Sequence, residues 1–85
     1  MPKTLRTPRQ LQFQRLLIDT RNASKLTQAE VARRLGRRQP FVAKYENGER
    51  RLDVVEFCEI MHVLGADPVQ LLIELLRREP LTPKS

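Results

Sequence analysis

The placement of glycine does most to limit what this chain can fold into. It has three, Gly36, Gly48 and Gly65, and each falls just past a stretch of helical spacing. A left-handed residue ends a helix there at least cost. Helix starts are marked as clearly. Thr27-Gln28-Ala29-Glu30 and Asp53-Val54-Val55-Glu56 have the capping-box pattern, in which the first side chain accepts from an orphan amide and the fourth reaches back. Thr7-Pro8 and Asp67-Pro68 each pair a cap with a first-turn proline. This punctuation predicts five helices, at about 8–22, 28–35, 39–47, 54–64 and 68–78.

The apolar residues recur at matching intervals. Phe13, Leu16, Leu17 and Thr20 share one face of the first segment, and Val31, Ala32 and Leu35 one side of the second. Phe57, Ile60, Met61 and Leu64 line the fourth, and Val69, Leu72, Ile73 and Leu76 the last. No run alternates long enough for a strand, and Asn47-Gly48 lacks the alternating flanks of a hairpin. Pro80 and Pro83 stop the last helix. The expected fold is all-α: one compact five-helix domain over residues 1–85, folded at about 8–78, with ends 1–7 and 79–85 frayed.

Charge is unevenly spread. Residues 1–52 carry thirteen basic and four acidic side chains, a net of +9, whereas residues 53–85 carry three and six, a net of −3. Twelve of the sixteen cations are arginine, whose planar fork suits phosphates and guanine edges. Polyanions are the usual partners of such a face, although arginines also serve solubility alone. Other classes are excluded. The longest uncharged stretch, Ile60 to Ala66, is seven residues, too short to span a bilayer. Met1-Pro2-Lys3-Thr4 lacks an apolar signal-peptide core, so the expected compartment is the cytoplasm. A single cysteine, Cys58, forms no internal disulfide. Cys58 and His62 are spaced as half a metal site but have no further ligands nearby; Cys58 is expected to be buried and His62 exposed. There is no nucleophile–base pairing, Gly-rich phosphate loop or carboxylate cluster, so no enzyme, metal, cofactor or small-molecule ligand is expected.

The informative stretch is Thr27 to Gly48, TQAEVARRLGRRQPFVAKYENG. Two short helices meet at a turn, Gly36-Arg37-Arg38, with Val31, Ala32, Leu35, Val42 and Tyr45 placed to bury one side of each. A major groove about 12 Å wide admits the second of two such helices while the first bridges the backbone. The chain resembles the phage repressor and Cro-like, XRE-type helix-turn-helix domains over about residues 9–76. The anchors are Leu26-Thr27-Gln28-Ala29-Glu30, Ala32, Leu35-Gly36, Tyr45-Glu46-Asn47-Gly48 and Leu64-Gly65, in that order and spacing.

The resemblance implies a lambda repressor-like fold and roles for particular residues. Gln28 corresponds to a glutamine that touches a phosphate and braces the start of helix 3. Gln39, Pro40 and Lys44 correspond to positions facing base edges, and Asn47 to one meeting the phosphate backbone. Arg21 and Glu46 correspond to a buried ion pair between helices 1 and 3. Residue chemistry adds detail. Gln39 can donate and accept together, as an adenine edge requires, and Lys44 can donate to guanine. Five residues apart, they point about 140° from each other around a helix. Pro40 offers only apolar surface and positions the helix. Two departures stand out: Arg38 replaces the family's small capping hydroxyl, and Arg37 the apolar residue before it. Arg37 and Arg38 are therefore expected to add phosphate contacts, with Arg50 and Arg51 beyond Gly48 on the same side. Phe41 is expected to be partly exposed, within reach of a thymine methyl, and Tyr45 to be core with its hydroxyl at the surface. Arg33 and Arg34 read as a solvated face.

The expected function is sequence-specific binding of double-stranded DNA by a transcriptional regulator. The alternative is a protein-interaction module on the same fold, an antitoxin or adaptor. Homodimerisation is expected through the last helix. If Val69, Leu72, Ile73 and Leu76 cover the core, Leu71 and Leu75 remain on an adjacent face for a two-fold mate. The competing arrangement rotates the helix so that Leu71 and Leu75 fill the core.

Overall fold

Local capping chemistry sets where each helix begins. The computed structural model describes residues 7–77, which form α1 (Pro8–Ala23), α2 (Gln28–Leu35), α3 (Gln39–Asn47), α4 (Val54–Leu64) and α5 (Pro68–Arg77). Among the described residues there is no strand. The Thr7 hydroxyl accepts from the Gln10 amide at 3.1 Å, so Thr7 is the ordered cap of α1 rather than part of a frayed end. Both capping boxes close. The Glu30 amide donates to Thr27 Oγ1 at 3.1 Å, and the Thr27 amide to Glu30 Oε1 at 2.8 Å. Asp53 and Glu56 do the same at 2.7 and 3.1 Å. Asp67 Oδ1 accepts from the Val69 amide at 2.9 Å at the start of α5. Arg78, expected in α5, and the ends 1–6 and 79–85 lie outside the described residues.

Among the described residues, eleven buried apolar side chains, drawn from all five helices, form the core. Leu17, Val31, Val42, Ile60 and Met61 are sealed from water at its centre. α2 packs on α3 and α4, α1 on α3 and α5, and α4 on α5. Ser24 ties the end of α1 to the end of α4 by donating to the Leu64 carbonyl at 2.7 Å. The Arg9 guanidinium donates to the Leu75 carbonyl and fastens the start of α1 to the last turn of α5. No helix among the described residues is long and apolar enough to cross a membrane.

Two expectations are overturned by packing, and that for α1 is extended. On α1, Leu16 and Leu17 are buried as expected, but Gln12 and Gln14 are buried too, while Phe13 and Thr20 are half-buried. Cys58 is exposed beside an exposed His62, because α4 turns Phe57, Ile60, Met61 and Leu64 inward instead. On α5 the two stripes trade places. Leu71 is core at 6% exposed and Leu75 packs against the core, whereas Val69, Leu72, Ile73 and Leu76 are exposed. The turn Gly65-Ala66-Asp67 sets this phase. It delivers Leu71 beside Leu16 and Met61, and Leu75 beside Phe13 and Phe57, so Leu71 is lost to a two-fold contact and Leu75 is half-buried.

Candidate nucleic-acid interface

Helix α3 is held from behind and open in front. Val42, Tyr45 and Glu46 are its buried residues, and Glu46 does most to fix its attitude. The Glu46 carboxylate accepts from Arg21 Nε at 2.7 Å, Arg21 Nη2 at 3.1 Å and Gln28 Nε2 at 2.9 Å. Arg21 also donates to the Leu26 carbonyl at 2.9 Å. One carboxylate thus joins α1, the start of α2 and the last turn of α3. The hydrogen bonds that Arg21 donates to Glu46 raise its pKa further, so this cation is permanent. Gln28 braces the end of α3 here rather than its start. Burial pushes the Tyr45 phenol up, and its ring meets Phe41 edge-on at 5.4 Å between centroids. Tyr45 is core, at 2% exposed.

The outer face of α3 carries the residues expected to meet bases. Gln39, Pro40 and Lys44 line one shallow concavity of about 360 Å³ together with Ala43, Asn47 and Glu49. The wide angle between Gln39 and Lys44 therefore separates them across a single open surface rather than onto different sides. Asn47 Oδ1 accepts from the Glu49 amide at 2.9 Å, which leaves its amide nitrogen as the donating end. Ala43 and Glu49 were not singled out from sequence. Ala43 carries no chemistry to mark it, and Glu49 becomes a neighbour only because Gly48, at φ +88°, turns the chain back.

Arg33, Arg34, Arg37, Arg38 and Arg51 are exposed around this face, and Arg50 is half-buried. Arg38 is the N-cap of α3 and makes no side-chain cap bond, as its replacement of a capping hydroxyl implies. Arg37 and Arg50 are engaged within the molecule. Their guanidinium carbons lie 4.3 and 4.8 Å from the centroid of the half-buried Phe41 ring. Both also reach Glu56. Arg50 donates from Nη1 to Oε1 at 3.0 Å and from Nη2 to Oε2 at 2.9 Å, and Arg37 Nη2 lies 3.4 Å from Oε2. Arg50 and the α4 cap together hold the Glu56 carboxyl down at about 2, and Glu56 in return raises Arg50. Sequence reasoning missed Glu56 because its capping-box position already accounted for it.

The pattern of a family described as helix-turn-helix domain matches residues 12–72. A solved structure, the XRE-family like protein from Pseudomonas syringae pv. tomato str. DC3000, is 47% identical, with a TM-score of 0.80 over 85% of this chain and 88% of that one. The chain belongs to the XRE-type helix-turn-helix family. Comparison with curated proteins gives no match. Membership supports a DNA-binding regulator as the general class, and in XRE-type terms α2 and α3 are the helix-turn-helix pair. The departures at Arg37 and Arg38 leave the fold intact. Arg37 lies outside the core, and its backbone amide closes the α2 end by donating to the Ala32 carbonyl at 2.9 Å.

Proposed function

We propose that the protein is a transcriptional regulator that binds double-stranded DNA sequence-specifically, with α3 in the major groove. One observation carries this: Gln39, Pro40, Lys44 and Asn47 share the open face of a helix whose opposite face is anchored by Glu46. Gln39 and Lys44 read base edges, Pro40 sets the helix against the groove and Phe41 supplies apolar contact near a thymine methyl. Gln28, Arg38, Asn47 and Arg51 lie along phosphates, joined by Arg37 and Arg50 once these leave Glu56. The net of +9 over residues 1–52 favours this function over a protein-interaction module.

The regulator acts as a homodimer in this proposal, through the residues α5 leaves outside. Val69, Leu72, Ile73 and Leu76 make one exposed apolar stripe, and a second copy across a two-fold axis would bury it. Two α3 helices about 34 Å apart would then read a palindromic site. Selection from a random duplex pool tests the whole scheme. The wild type should yield a two-fold motif, and Lys44→Ala should relax it at one position per half-site, costing about 1–3 kcal/mol on the selected duplex. With about six to eight phosphates neutralised per dimer, the log–log salt slope should be near −5 to −7. A slope near zero, with no motif recovered, would overturn the DNA-binding function in favour of a protein partner.

A further inference from the structure

An arginine already held by a carboxylate must give up or share that partner before it can neutralise a phosphate. Arg37 and Arg50 are in that position. Three of the five N–H groups of Arg50 are committed: Nη1 to Glu56 Oε1 at 3.0 Å and to the Arg51 carbonyl at 2.9 Å, and Nη2 to Glu56 Oε2 at 2.9 Å. The carboxylate is itself fully used, since Oε1 also accepts from the Asp53 amide and Oε2 faces Arg37. The Glu56 side chain is 14% exposed, against 42% for Arg37 and 38% for Arg50. Two cations held against the Phe41 ring thus share one anion, next to the helix proposed to read DNA. An approaching duplex meets one net positive charge there instead of two.

Resting on the DNA-binding function above, we propose that Glu56 is a specificity-determining residue, withholding Arg37 and Arg50 from loosely bound duplex and yielding them only when α3 is fully docked. Non-specific binding draws nearly all its free energy from phosphate contacts, so masking two arginines weakens it directly. A docked complex adds base contacts, which offset the cost of separating the arginines from Glu56. Phe41 keeps both guanidinium groups close by, so the transfer from carboxylate to phosphate is a short one. Glu56 therefore acts on DNA through the two arginines rather than by touching it.

Glu56→Gln is the appropriate variant, because glutamine still completes the capping box of α4. Affinity is measured across a salt series on mixed-sequence duplex and on the duplex selected by the wild type, with thermal melting as a check of the fold. On mixed sequence, Glu56→Gln should bind on the order of three- to tenfold tighter, with a salt slope steeper by about 1 to 2. On the selected duplex the gain should stay below about twofold, so discrimination falls. In an Arg37→Gln, Arg50→Gln background the substitution should have no effect on either. Unchanged or weaker mixed-sequence binding by Glu56→Gln overturns the proposal. So does a gain that survives without the arginines, which would make Glu56 a plain repulsive charge, and so does loss of the fold, which would make it a cap alone. Absence of salt-sensitive wild-type binding to any duplex is a different result: it overturns the DNA-binding function itself.

Discussion

Glu46 is 6% exposed and takes three charge-assisted hydrogen bonds from Arg21 and Gln28. Removing it strands a guanidinium whose side chain is only 15% exposed. Glu46→Ala should therefore destabilise the fold by about 3 kcal/mol, read as a lower urea midpoint at unchanged slope. Glu56 makes an equally direct prediction with pH. Its pKa falls from 4.5 in the unfolded chain to about 2 in the fold, so the stabilisation is complete above the higher value. It is lost as pH drops from about 4.5 towards 2, where the folded carboxylate takes up its proton. The melting temperature of the wild type should fall across that window, and that of Glu56→Gln should fall less. Some slope should remain in the variant, since Thr27 holds the Glu30 carboxyl below its ordinary value as well.

At the scale of the element, α3 depends on how it ends. Gly48 has φ +88°, and a Cβ there would lie 2.9 Å from Gln14 Oε1 and 3.2 Å from Nε2. Gln14 is 7% exposed, so its amide has little room to retreat. Gly65, at φ +69°, would set its Cβ in open space. Gly65→Ala should cost about 1 kcal/mol for the left-handed backbone alone, and Gly48→Ala about 2 kcal/mol or more. Equal losses in thermal denaturation would mean that the Gln14 contact relaxes freely. The α1 residue Gln14 thereby bears on the last turn of α3, a link between elements that neither segment displays by itself. Helix α5 teaches a related lesson. Apolar residues occur on more than one of its faces, and periodicity alone favours the wider stripe, Val69, Leu72, Ile73 and Leu76, which the fold leaves outside.

For the whole molecule, the exposed α5 stripe and the buried Leu71 separate association from folding. Leu72→Glu with Leu76→Glu changes residues that are 42% and 73% exposed, so the protein should stay folded. By sedimentation equilibrium it should be monomeric at concentrations where the wild type is expected to dimerise, with about half-site protection on DNA. Leu71→Glu buries a charge among Leu16 and Met61 and should abolish the cooperative melt instead. A wild type that is monomeric at high micromolar concentration, alone and on DNA, would rule the dimer out.

Helix boundaries were legible because their determinants are local. A capping box spans four residues and a glycine stop one, so all five helices appear within a residue of where their caps place them. The helix-turn-helix unit and the Arg21–Glu46 pair were legible through resemblance, which encodes spacing between elements. What the tertiary structure decided was which side chains share a space. Rotation of α5 follows from the turn at Gly65-Ala66-Asp67 and from the room between α1 and α4, and no property of α5 alone specifies it. The pairing at Glu56 was equally hidden: Arg37 and Arg50, thirteen residues apart in sequence, meet at one carboxylate only after α4 packs beneath the turn. Period and caps act over a few residues, whereas helix phase and charge pairing depend on surfaces that exist only once the helices have met.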